Sequence, residues 1–489
     1  MERALPVSMS NSLLVMKFGG SSMGTAERIQ VAAGICVEQK ALRPTVVVVS
    51  AMSKVTDLLL ETLRCAESGD SEGVERHASS LRERHHQTAR ELFGVAAMAP
   101  VLEEVLGKID GLMKEFDRIS GGILLLGERP PRSVDEAVAI GERLSAMLLA
   151  SYLDATVLDA PGTTAQAVNA RQVIVTDTCF GNATPLLDPT REKCTEVLRP
   201  LLARNILPIV TGFNGATLDG RPTTLGRGGS DFSASILAGA LDAGELWIWT
   251  DVDGIMSADP RLVKDAVVLP EVSYREAAEL AYNGAKVLHP RTLAPLVEKN
   301  IPVWSKNSFN VTTPGTRIVP VIAVPGGARA GTSMANVALV SIEPASAEVN
   351  GAAIMARALD ALSRVNAEVL ALSSSSYRQN FCFLVRKEEL SMAMTAIESS
   401  FALELAHGYL RPIDVDENVG LLAVVGEGMQ GSRGLAGRIF TAISRHEVNI
   451  IAIAQGSSEL TIAIVVRRDG LERAVQAVHS ECQMGHQSR

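Results

Sequence analysis

The chain has 489 residues, 47% of them hydrophobic, and a formal net charge of −9. This length predicts about two to four domains, and an acidic balance without a basic stripe argues against nucleic acid as a partner. No apolar run approaches the roughly 20 residues that span a membrane, and no long apolar segment precedes Lys17, so we expect neither a membrane anchor nor a signal peptide. Six cysteines without C-x-x-C spacing favour reduced thiols in a cytoplasmic protein.

The first candidate for phosphate binding follows the first apolar strand. Residues 13–16 predict a buried strand, and Lys17-Phe18-Gly19-Gly20 comes directly after it. A lysine beside two glycines places an ammonium next to backbone amides, which suits a polyphosphate. The chain has no G-x-x-x-x-G-K-[ST] loop and lacks the protein-kinase signatures. A different phosphate-handling α/β fold is therefore indicated.

Apolar strands and helices then alternate. Residues 46–49 and 206–210 are continuous apolar runs, each followed by a loop of small residues, and a helix is predicted over 134–153. This alternation predicts a mostly parallel sheet covered by helices on both faces. Residues 59–120 form a polar, charge-mixed, helix-rich insertion, which we interpret as a solvated helical hairpin.

The octapeptide at 224–231, Thr-Leu-Gly-Arg-Gly-Gly-Ser-Asp, is the most informative stretch. Its three glycines let the main chain approach a ligand closely. Arg227 offers a planar fork that suits carboxylate or phosphate. Ser230 and Asp231 precede an apolar run and are predicted to cap a helix there. Loop amides, a helix N-terminus and a guanidinium would thus converge on one anion.

A second ligand loop is predicted after the strand at 246–249. The segment 250–261 begins Thr-Asp-Val-Asp-Gly and lies at a carboxyl strand end, where ligands bind in open α/β sheets. An EF-hand is excluded because the remaining ligands, including the twelfth-position glutamate, do not follow. Lys286 adds another lysine shortly before a proline.

The C-terminal part contains a weak internal repeat after a linker near 319–336. Strand, helix, strand, strand is predicted at 337–385 and again at 421–466. The second copy contains Gly426-x-Gly428-x-x-Gly431, a pattern found at dinucleotide sites. Because only residues 455–459 join its last two strands, those strands must be antiparallel, whereas a dinucleotide unit needs a crossover between parallel strands. We therefore predict a β-α-β-β unit that does not bind a dinucleotide.

Four of these motifs, in this order and spacing, resemble the aspartate kinase signature: Lys17 to Gly20, Thr224 to Asp231, Thr250 to Arg261, and Ala285 to Pro290. The resemblance covers roughly residues 12–485. It implies an α/β fold with a mostly parallel central sheet sandwiched by helices, the amino acid kinase fold, at 10–320 with the helical insertion at about 59–120. Two βαββ ACT-type α+β domains would follow, at 335–412 and 416–485. The chain is most similar to the kinase part of threonine-sensitive aspartate kinase–homoserine dehydrogenases.

The resemblance implies transfer of the γ-phosphoryl of ATP to the β-carboxylate of L-aspartate, giving 4-phospho-L-aspartate, the first step toward lysine, threonine and methionine. A carboxylate is already ionised at pH 7, so no general base is required. Lys17 and Asp231 are the catalytic candidates. Lys17, with the Gly19 and Gly20 amides, would hold the β,γ-phosphates, and Asp231 would orient Lys17 or assist Mg²⁺. The magnesium ion would be bound mainly by phosphates and water.

Binding residues carry over from the family by position. Arg227 would grip a substrate carboxylate, Glu142 would pair with the substrate ammonium, and Met256 replaces a tyrosine of many relatives, so nucleobase stacking would differ. The predicted ATP contacts are Lys17, Phe18, Gly19, Gly20, Thr250, Asp251, Met256, Arg261, Lys286 and Val287. The predicted substrate contacts are Ser50, Thr56, Glu142, Arg227, Gly228, Gly229 and Ser230.

The resemblance also implies regulation through the ACT-type domains. Asn449, Ile450 and Gln455 fall at effector positions, for either lysine or threonine. Ser373 stands where threonine-sensitive relatives carry a glutamine, and the loss of an amide that donates and accepts hydrogen bonds predicts weakened, altered or absent threonine feedback. Paired units of this kind generally join across subunits, which predicts a homodimer or homotetramer.

Two alternatives stay open on the sequence alone. Another acyl-phosphate-forming kinase, acting on glutamate or N-acetylglutamate, would share the fold and the lysines. Glu142 and the two sensor units favour aspartate. A catalytically silent amino acid sensor is the non-enzymatic alternative, and the joint presence of Lys17, Asp231 and Lys286 argues against it.

Overall fold

The computed structural model describes residues 12–156, 164–285, 287–288, 290–322, 327–345, 349–376 and 380–484. The chain divides into two compact units. The first comprises the chain up to Gly254 together with Leu288–Pro320, and the second comprises Ile255–Val287 with the chain from Val321 onward. The segment Ile255–Val287 thus groups with the C-terminal region, although the sequence boundaries place it within the catalytic domain; those boundaries stay a prediction.

The secondary structure alternates along the first unit and repeats in the second. The strands are β1 (Leu14–Phe18), β2 (Thr45–Val49), β3 (Thr164–Val168), β4 (Val175–Thr176), β5 (Ile206–Thr211), β6 (Asn214–Thr217), β7 (Pro222–Thr224), β8 (Glu245–Thr250), β9 (Glu271–Ser273), β10 (Val303–Asn307), β11 (Thr316–Val319), β12 (Ala330–Ile342), β13 (Ala371–Ser374), β14 (Phe381–Arg386), β15 (Asp414–Val425), β16 (Ile450–Gln455) and β17 (Thr461–Arg467). The α-helices are α1 (Ala26–Leu42), α2 (Val55–Glu67), α3 (Ser71–Phe93), α4 (Ala99–Leu126), α5 (Pro131–Thr156), α6 (Leu187–Ala203), α7 (Gly229–Leu241), α8 (Tyr274–Tyr282), α9 (Pro290–Val297), α10 (Gly351–Arg364), α11 (Lys387–Ser400), α12 (Ala402–Ala406), α13 (Leu435–Arg445) and α14 (Leu471–Glu481). Among the described residues, none of the helices combines the length and apolarity that crossing a bilayer requires.

The main sheet of the first unit is mostly parallel, as predicted. Its strands run in the order β3-β5-β2-β1-β8-β10-β11, with β11 antiparallel to β10. β1 and β2 are buried along their whole length, which is the reason for their continuous apolar sequence. Phe18 lies opposite Val49 on one side and Trp249 on the other. The carboxyl ends of β1, β2 and β8 therefore meet at one edge of the sheet.

The insertion is helical but is not a solvated hairpin. It forms three helices, α2 to α4, that bury Leu81, Phe93 and Phe116 in the same core cluster as Met16. The prediction was wrong because the high charge content hides a narrow apolar stripe, which is sufficient to pack one face of a long helix.

The second unit contains a six-stranded antiparallel sheet in the order β13-β14-β12-β15-β17-β16. Each half reads strand, helix, strand, strand: β12-α10-β13-β14 and β15-α13-β16-β17. The antiparallel pairing of β16 with β17 confirms the argument that excluded a dinucleotide unit. Each helix of the pair covers a separate apolar cluster on its own half of the sheet.

Candidate active site

An ion pair between a buried lysine and a half-buried aspartate lies at the edge of the sheet where β1 and β8 end. Lys17, on β1, places its Nζ 2.5 Å from Oδ1 of Asp231, in the first turn of α7. Lys17 is only 8% exposed. A buried ammonium needs an anionic partner, so Asp231 both stabilises the charge of Lys17 and fixes its position.

The two glycines after β1 keep space beside this ammonium. A Cβ on Gly19 would lie 3.4 Å from Lys17 Nζ, and a Cβ on Gly20 would lie 3.1 Å from the Ala51 carbonyl oxygen. The Gly19 N–H donates to the Trp249 carbonyl at 3.1 Å. This amide therefore already has an acceptor, and its contact with phosphate stays a prediction.

Phe18, a predicted nucleotide contact, is a core residue. Its side chain is fully buried and stacks on Trp249 with ring centroids 6.1 Å apart. Only its backbone is placed to contribute to the site. Trp249 is held in this way directly before Thr250, the first residue of the predicted ligand loop.

Glu142 is a buried carboxylate with one unused oxygen. Gly141 lets α5 approach the loop after β2, since a Cβ there would lie 2.9 Å from the Ala51 side chain. Glu142 Oε1 accepts the Ala51 N–H at 3.2 Å. Oε2 has no partner within the described part of the chain, and burial raises the pKa of Glu142 to about 7. An unpartnered buried carboxylate oxygen is costly unless a ligand supplies a donor.

Two predicted substrate contacts flank Ala51, the residue that donates to Glu142. Ser50 directly follows β2, and its N–H donates to the Phe18 carbonyl at 3.0 Å. Thr56 lies in the first turn of α2. Both residues are half-buried.

The glycine-rich loop after β7 leads into α7 with left-handed backbone at Gly226 (φ 75°) and Gly228 (φ 68°). The helix begins at Gly229 with Gly228 as its N-cap and without a side-chain capping bond. The prediction that Ser230 and Asp231 cap the helix was wrong, because both already lie in its first turn. The first turn of α7 carries Asp231, so its backbone amides lie close to the Lys17–Asp231 pair, as an anion site requires. The Gly229 N–H among them already donates to the Gly226 carbonyl at 3.0 Å.

Phe213 is a site residue that the sequence did not single out. It has φ 69°, an uncommon conformation for a bulky residue. A Cβ on Gly229 would lie 2.5 Å from Phe213 Cδ2, and a Cβ on Gly212 would lie 2.7 Å from Ser230 Cβ. The loop after β5 therefore packs directly on the start of α7. In the sequence, a loop of small residues at the end of a strand points to this region. That pattern does not indicate which residue of the loop matters.

The loop after β8 contains one aspartate that is hydrogen-bonded within the fold and one that is exposed. Asp253 Oδ1 accepts from Asn307 Nδ2 at 2.8 Å and from Asn310 Nδ2 at 3.3 Å, so it holds the loop to the end of β10 and the residues that follow. Asp251 is exposed and accepts a 3.3 Å hydrogen bond from the Thr250 hydroxyl. The described residues contain no group of three or more His, Cys, Asp or Glu placed to hold a metal ion.

Three further predicted nucleotide contacts belong to the second unit. Met256 is half-buried and forms a β-bridge with Val268. Arg261 is exposed, and its Nη2 lies 2.6 Å from Asp259 Oδ2. Val287 is half-buried, and Lys286 lies outside the described residues.

The predicted effector residues lie along β16. Ile450 begins this strand, Gln455 ends it, and both Asn449 and Gln455 are exposed. Ser373 lines a small cavity, and Gln455 is not among the residues that line it. It is lined by Leu339, Ala371, Leu372, Ser373, Cys382, Ala452, Ile453, Ala454 and Val465. Because β13 and β16 are the two outer strands, the sheet must curl for both to line one cavity.

Comparison with known proteins first defines the class of protein. The profile of the amino acid kinase family matches residues 12–307, and that of the ACT domain matches residues 422–482. The first match spans more than half of the chain, so the chain is a member of the amino acid kinase family with a C-terminal ACT region.

The family can be stated more narrowly. The chain is 31% identical to Aspartokinase 3 of Arabidopsis thaliana over 498 aligned residues, which cover 95% of this chain and 81% of that protein. The chain belongs to the aspartokinase family, and the resemblance read from the four motifs is confirmed.

Longer relatives and solved structures support the same family. The chain is 36% identical over 479 residues to the bifunctional aspartokinase/homoserine dehydrogenase 1 of Arabidopsis thaliana, covering 96% of this chain and 51% of that one. The chain thus spans about half the length of the bifunctional relatives. The structure of E. coli aspartokinase III in complex with aspartate and ADP is similar with a TM-score of 0.79 and 29% identity, over 96% of this chain and 99% of that one. The same protein in complex with lysine and aspartate gives a TM-score of 0.77 at 29% identity, with the same coverage.

Proposed function

We propose that the protein is an aspartate kinase that transfers the γ-phosphoryl of ATP to the β-carboxylate of L-aspartate, giving 4-phospho-L-aspartate. The observation that carries the proposal is the unused, buried Oε2 of Glu142 at the same sheet edge as the Lys17–Asp231 pair. A buried anion suits a substrate ammonium, and a buried cation suits a phosphoryl group. Aspartate and ADP are the ligands named for the E. coli relative.

Aspartate is held at both ends in this proposal. The substrate ammonium donates to Glu142 Oε2, which removes the cost of leaving that oxygen unpaired. Arg227 binds a substrate carboxylate through its planar guanidinium. The supporting contacts are Ser50, Thr56, Gly228, Gly229 and Ser230.

Phosphoryl transfer needs positioning and charge neutralisation rather than proton removal, because the attacking carboxylate is already ionised. Lys17 stabilises the charge that develops on the transferring group, and Asp231 keeps the ammonium in place. We assign the remaining nucleotide contacts to Gly20, Thr250, Asp251, Met256, Arg261, Lys286 and Val287. Magnesium would neutralise phosphate charge when bound, and phosphates and water would supply most of its ligands.

The ACT region is proposed to regulate this reaction. Lysine is bound by the E. coli relative, and threonine is the alternative effector, with Gln455, Asn449 and Ile450 as contacts. Ser373, which lines the cavity between β13 and β16, predicts weakened threonine feedback. The outer strands β13 and β16 are the edges through which a homodimer or homotetramer would form. We place the enzyme in the cytoplasm, at the first step toward lysine, threonine and methionine.

The test is a hydroxylamine-trapping assay with ATP, Mg²⁺ and L-aspartate, repeated with lysine or threonine. We expect aspartate-dependent hydroxamate, with ADP formed in equal amount. Product with glutamate or N-acetylglutamate instead would identify the protein as another acyl-phosphate-forming kinase. No product with any of the three acceptors would leave a catalytically silent sensor.

A further inference from the structure

Asp135 is a buried carboxylate that the proposed reaction does not use. It lies in the first part of α5 and is 1% exposed. Its Oδ2 accepts the N–H of Thr224 at 3.0 Å and the N–H of Gly181 at 2.9 Å, and its Oδ1 accepts the Thr224 hydroxyl at 2.7 Å. Burial raises the pKa of Asp135, whereas the three donors lower it. Three donors converging on one buried carboxylate make a rigid junction.

The junction fixes the start of the glycine-rich loop. Thr224 is the last residue of β7 and stands three positions before Arg227. Its carbonyl also accepts the Ala183 N–H at 2.8 Å, and the next residue, Leu225, donates to the Phe213 carbonyl at 2.9 Å. Beyond these ties the loop takes the left-handed backbone at Gly226 and Gly228. Asp135 is thus the side chain that attaches this loop to α5.

The same helix carries the proposed ammonium acceptor. Glu142 follows Asp135 by seven residues, which is about two helical turns, so both project from the same side of α5. The middle of the helix therefore carries the group proposed to bind the substrate ammonium. Its N-terminal end, through Asp135, holds the loop whose Arg227 is proposed to bind a substrate carboxylate.

We propose that Asp135 is a positioning residue that sets the spacing between Glu142 and Arg227 and thereby selects a four-carbon over a five-carbon amino dicarboxylic acid. This inference rests on the proposed function. A single methylene in a substrate changes kcat/KM by about 10- to 200-fold when a site is well fitted to its length. A loop released from α5 would no longer enforce that fit.

The test compares four variants of the full chain for kcat/KM with L-aspartate and L-glutamate and for the KM of ATP. Asp135→Ala removes the junction, and we expect kcat/KM for aspartate to fall about 100-fold, as a displaced binding group causes. The KM for ATP should change by less than about threefold, and the preference for aspartate over glutamate should narrow by about tenfold. Asp135→Asn should stay within about fivefold of the wild type, since its carbonyl accepts both backbone N–H groups and its NH₂ donates to the Thr224 hydroxyl.

Asp154→Ala is the matched control. Asp154 lies near the other end of α5, where its Oδ1 accepts the Ala165 N–H at 2.7 Å. It lies about 28 Å along the helix from Asp135. We expect this variant to keep the aspartate preference and kcat/KM of the wild type. Thr224→Val removes only the hydroxyl donor, and we expect about a tenfold loss with aspartate, so the proposal stays testable if Asp135→Ala does not fold.

The outcomes separate the two proposals. A wild-type chain without aspartate-dependent turnover would reject the proposed function. An active wild type whose Asp135→Ala and Thr224→Val variants keep the full kcat/KM and the full aspartate preference would reject the positioning role alone. An equal loss in Asp154→Ala, or a matching rise in the KM of ATP, would reject it as well, because the effect would then be general destabilisation.

Discussion

Two glycine-rich loops of this protein look alike in sequence and differ in what their backbone groups contact. Residues 226–231 run from a strand into the first turn of a helix, and residues 426–431 lie between a strand and a helix. In the second loop the backbone is engaged internally. The Glu427 N–H donates to Glu276 Oε1 at 2.9 Å, the Gly431 N–H donates to Glu459 Oε2 at 2.7 Å, and the Gly428 carbonyl accepts from Gly327 at 2.8 Å.

The glycine at position 426 serves packing rather than ligand binding. A Cβ there would lie 2.7 Å from the Gly327 carbonyl oxygen and 2.9 Å from the Arg329 nitrogen. The Glu427 carboxylate accepts a 2.8 Å hydrogen bond from the Ser273 hydroxyl. This bond joins the loop to the capping box of α8. This loop holds parts of the second unit together.

The first loop lies at a sheet edge that holds a charged pair and one carboxylate oxygen without a partner among the described residues. It leads into an uncapped helix beside the Lys17–Asp231 pair, at the sheet edge where Glu142 keeps an unused oxygen. The comparison teaches that a glycine pattern does not identify a ligand site. The partners of the surrounding polar groups decide which loop binds and which loop supports.

The largest effect should come from Lys17→Ala. Removing the ammonium beside the first loop takes away the charge that stabilises the transferring phosphoryl, so we expect kcat to fall by about 1000-fold or more. Circular dichroism and thermal unfolding should show a retained fold. Lys108→Ala, which removes an exposed lysine paired with Glu104, is the control and should keep full activity. Turnover of Lys17→Ala near the wild-type rate would contradict the assignment.

Substituting one glycine in each loop sharpens the comparison. Gly229→Ala places a Cβ against Phe213 and displaces the start of α7, so we expect about a 100-fold loss of kcat/KM for aspartate. Gly426→Ala places a Cβ against backbone atoms that cannot move aside, and we expect about 2–4 kcal/mol of destabilisation. Steady-state kinetics and urea unfolding of both variants measure the two effects. A purely structural loss in Gly229→Ala, with kcat/KM per folded molecule intact, would remove the functional distinction between the loops.

Glu142 should make both stability and aspartate binding depend on pH. Burial raises its pKa from 4.5 to about 7. In the ligand-free protein the stabilising protonated form is fully present below about pH 4.5 and is lost as the pH rises through about 7. We expect the unfolding free energy to fall by about 3 kcal/mol over that window relative to Glu142→Gln. Aspartate needs the ionised form, so its KM should rise about tenfold per pH unit below 7 in the wild type.

Calorimetry from pH 4.5 to 7.5 and initial rates from pH 6 to 8 test these expectations. The Glu142→Gln variant should show neither dependence. Parallel pH profiles of the two proteins would mean that Glu142 is not the titrating group.

The smallest effect should come from Glu427→Ala in the second loop. The variant loses the acceptor for Ser273, so we expect about 1–3 kcal/mol of destabilisation with kcat unchanged per folded molecule. Fluorescence titration with NADH should show no binding to either the wild type or the variant. Saturable NADH binding that Glu427→Ala abolishes would restore the dinucleotide interpretation.

Much of the fold followed from the sequence because local patterns decide it. Residues 46–49 are apolar throughout since β2 is buried on both faces, and the short connection at 455–459 forces β16 and β17 to be antiparallel. The Lys17 and Arg227 loops were found because their residue types suit phosphate and carboxylate.

The parts that the sequence did not predict depend on distant contacts or on backbone angles. Asp135 contacts Thr224 across 89 positions, and nothing local marks it as different from other helical aspartates. The start of α7 was misplaced because Ser230 and Asp231 are good capping residues, whereas the left-handed backbone at Gly228 moves the cap to an earlier position. Phe213 gains its role only through packing on Gly229.

The central claim is that the unused oxygen of Glu142 receives the substrate ammonium. Succinate is aspartate without that ammonium, so comparing the two substrates in the wild type and in Glu142→Gln tests the claim directly. We predict that the wild type prefers aspartate by about 100-fold or more in kcat/KM, as a buried charge pair requires, and that Glu142→Gln narrows the preference to less than about tenfold. A Glu142→Gln variant that keeps the full wild-type preference for aspartate would contradict the account.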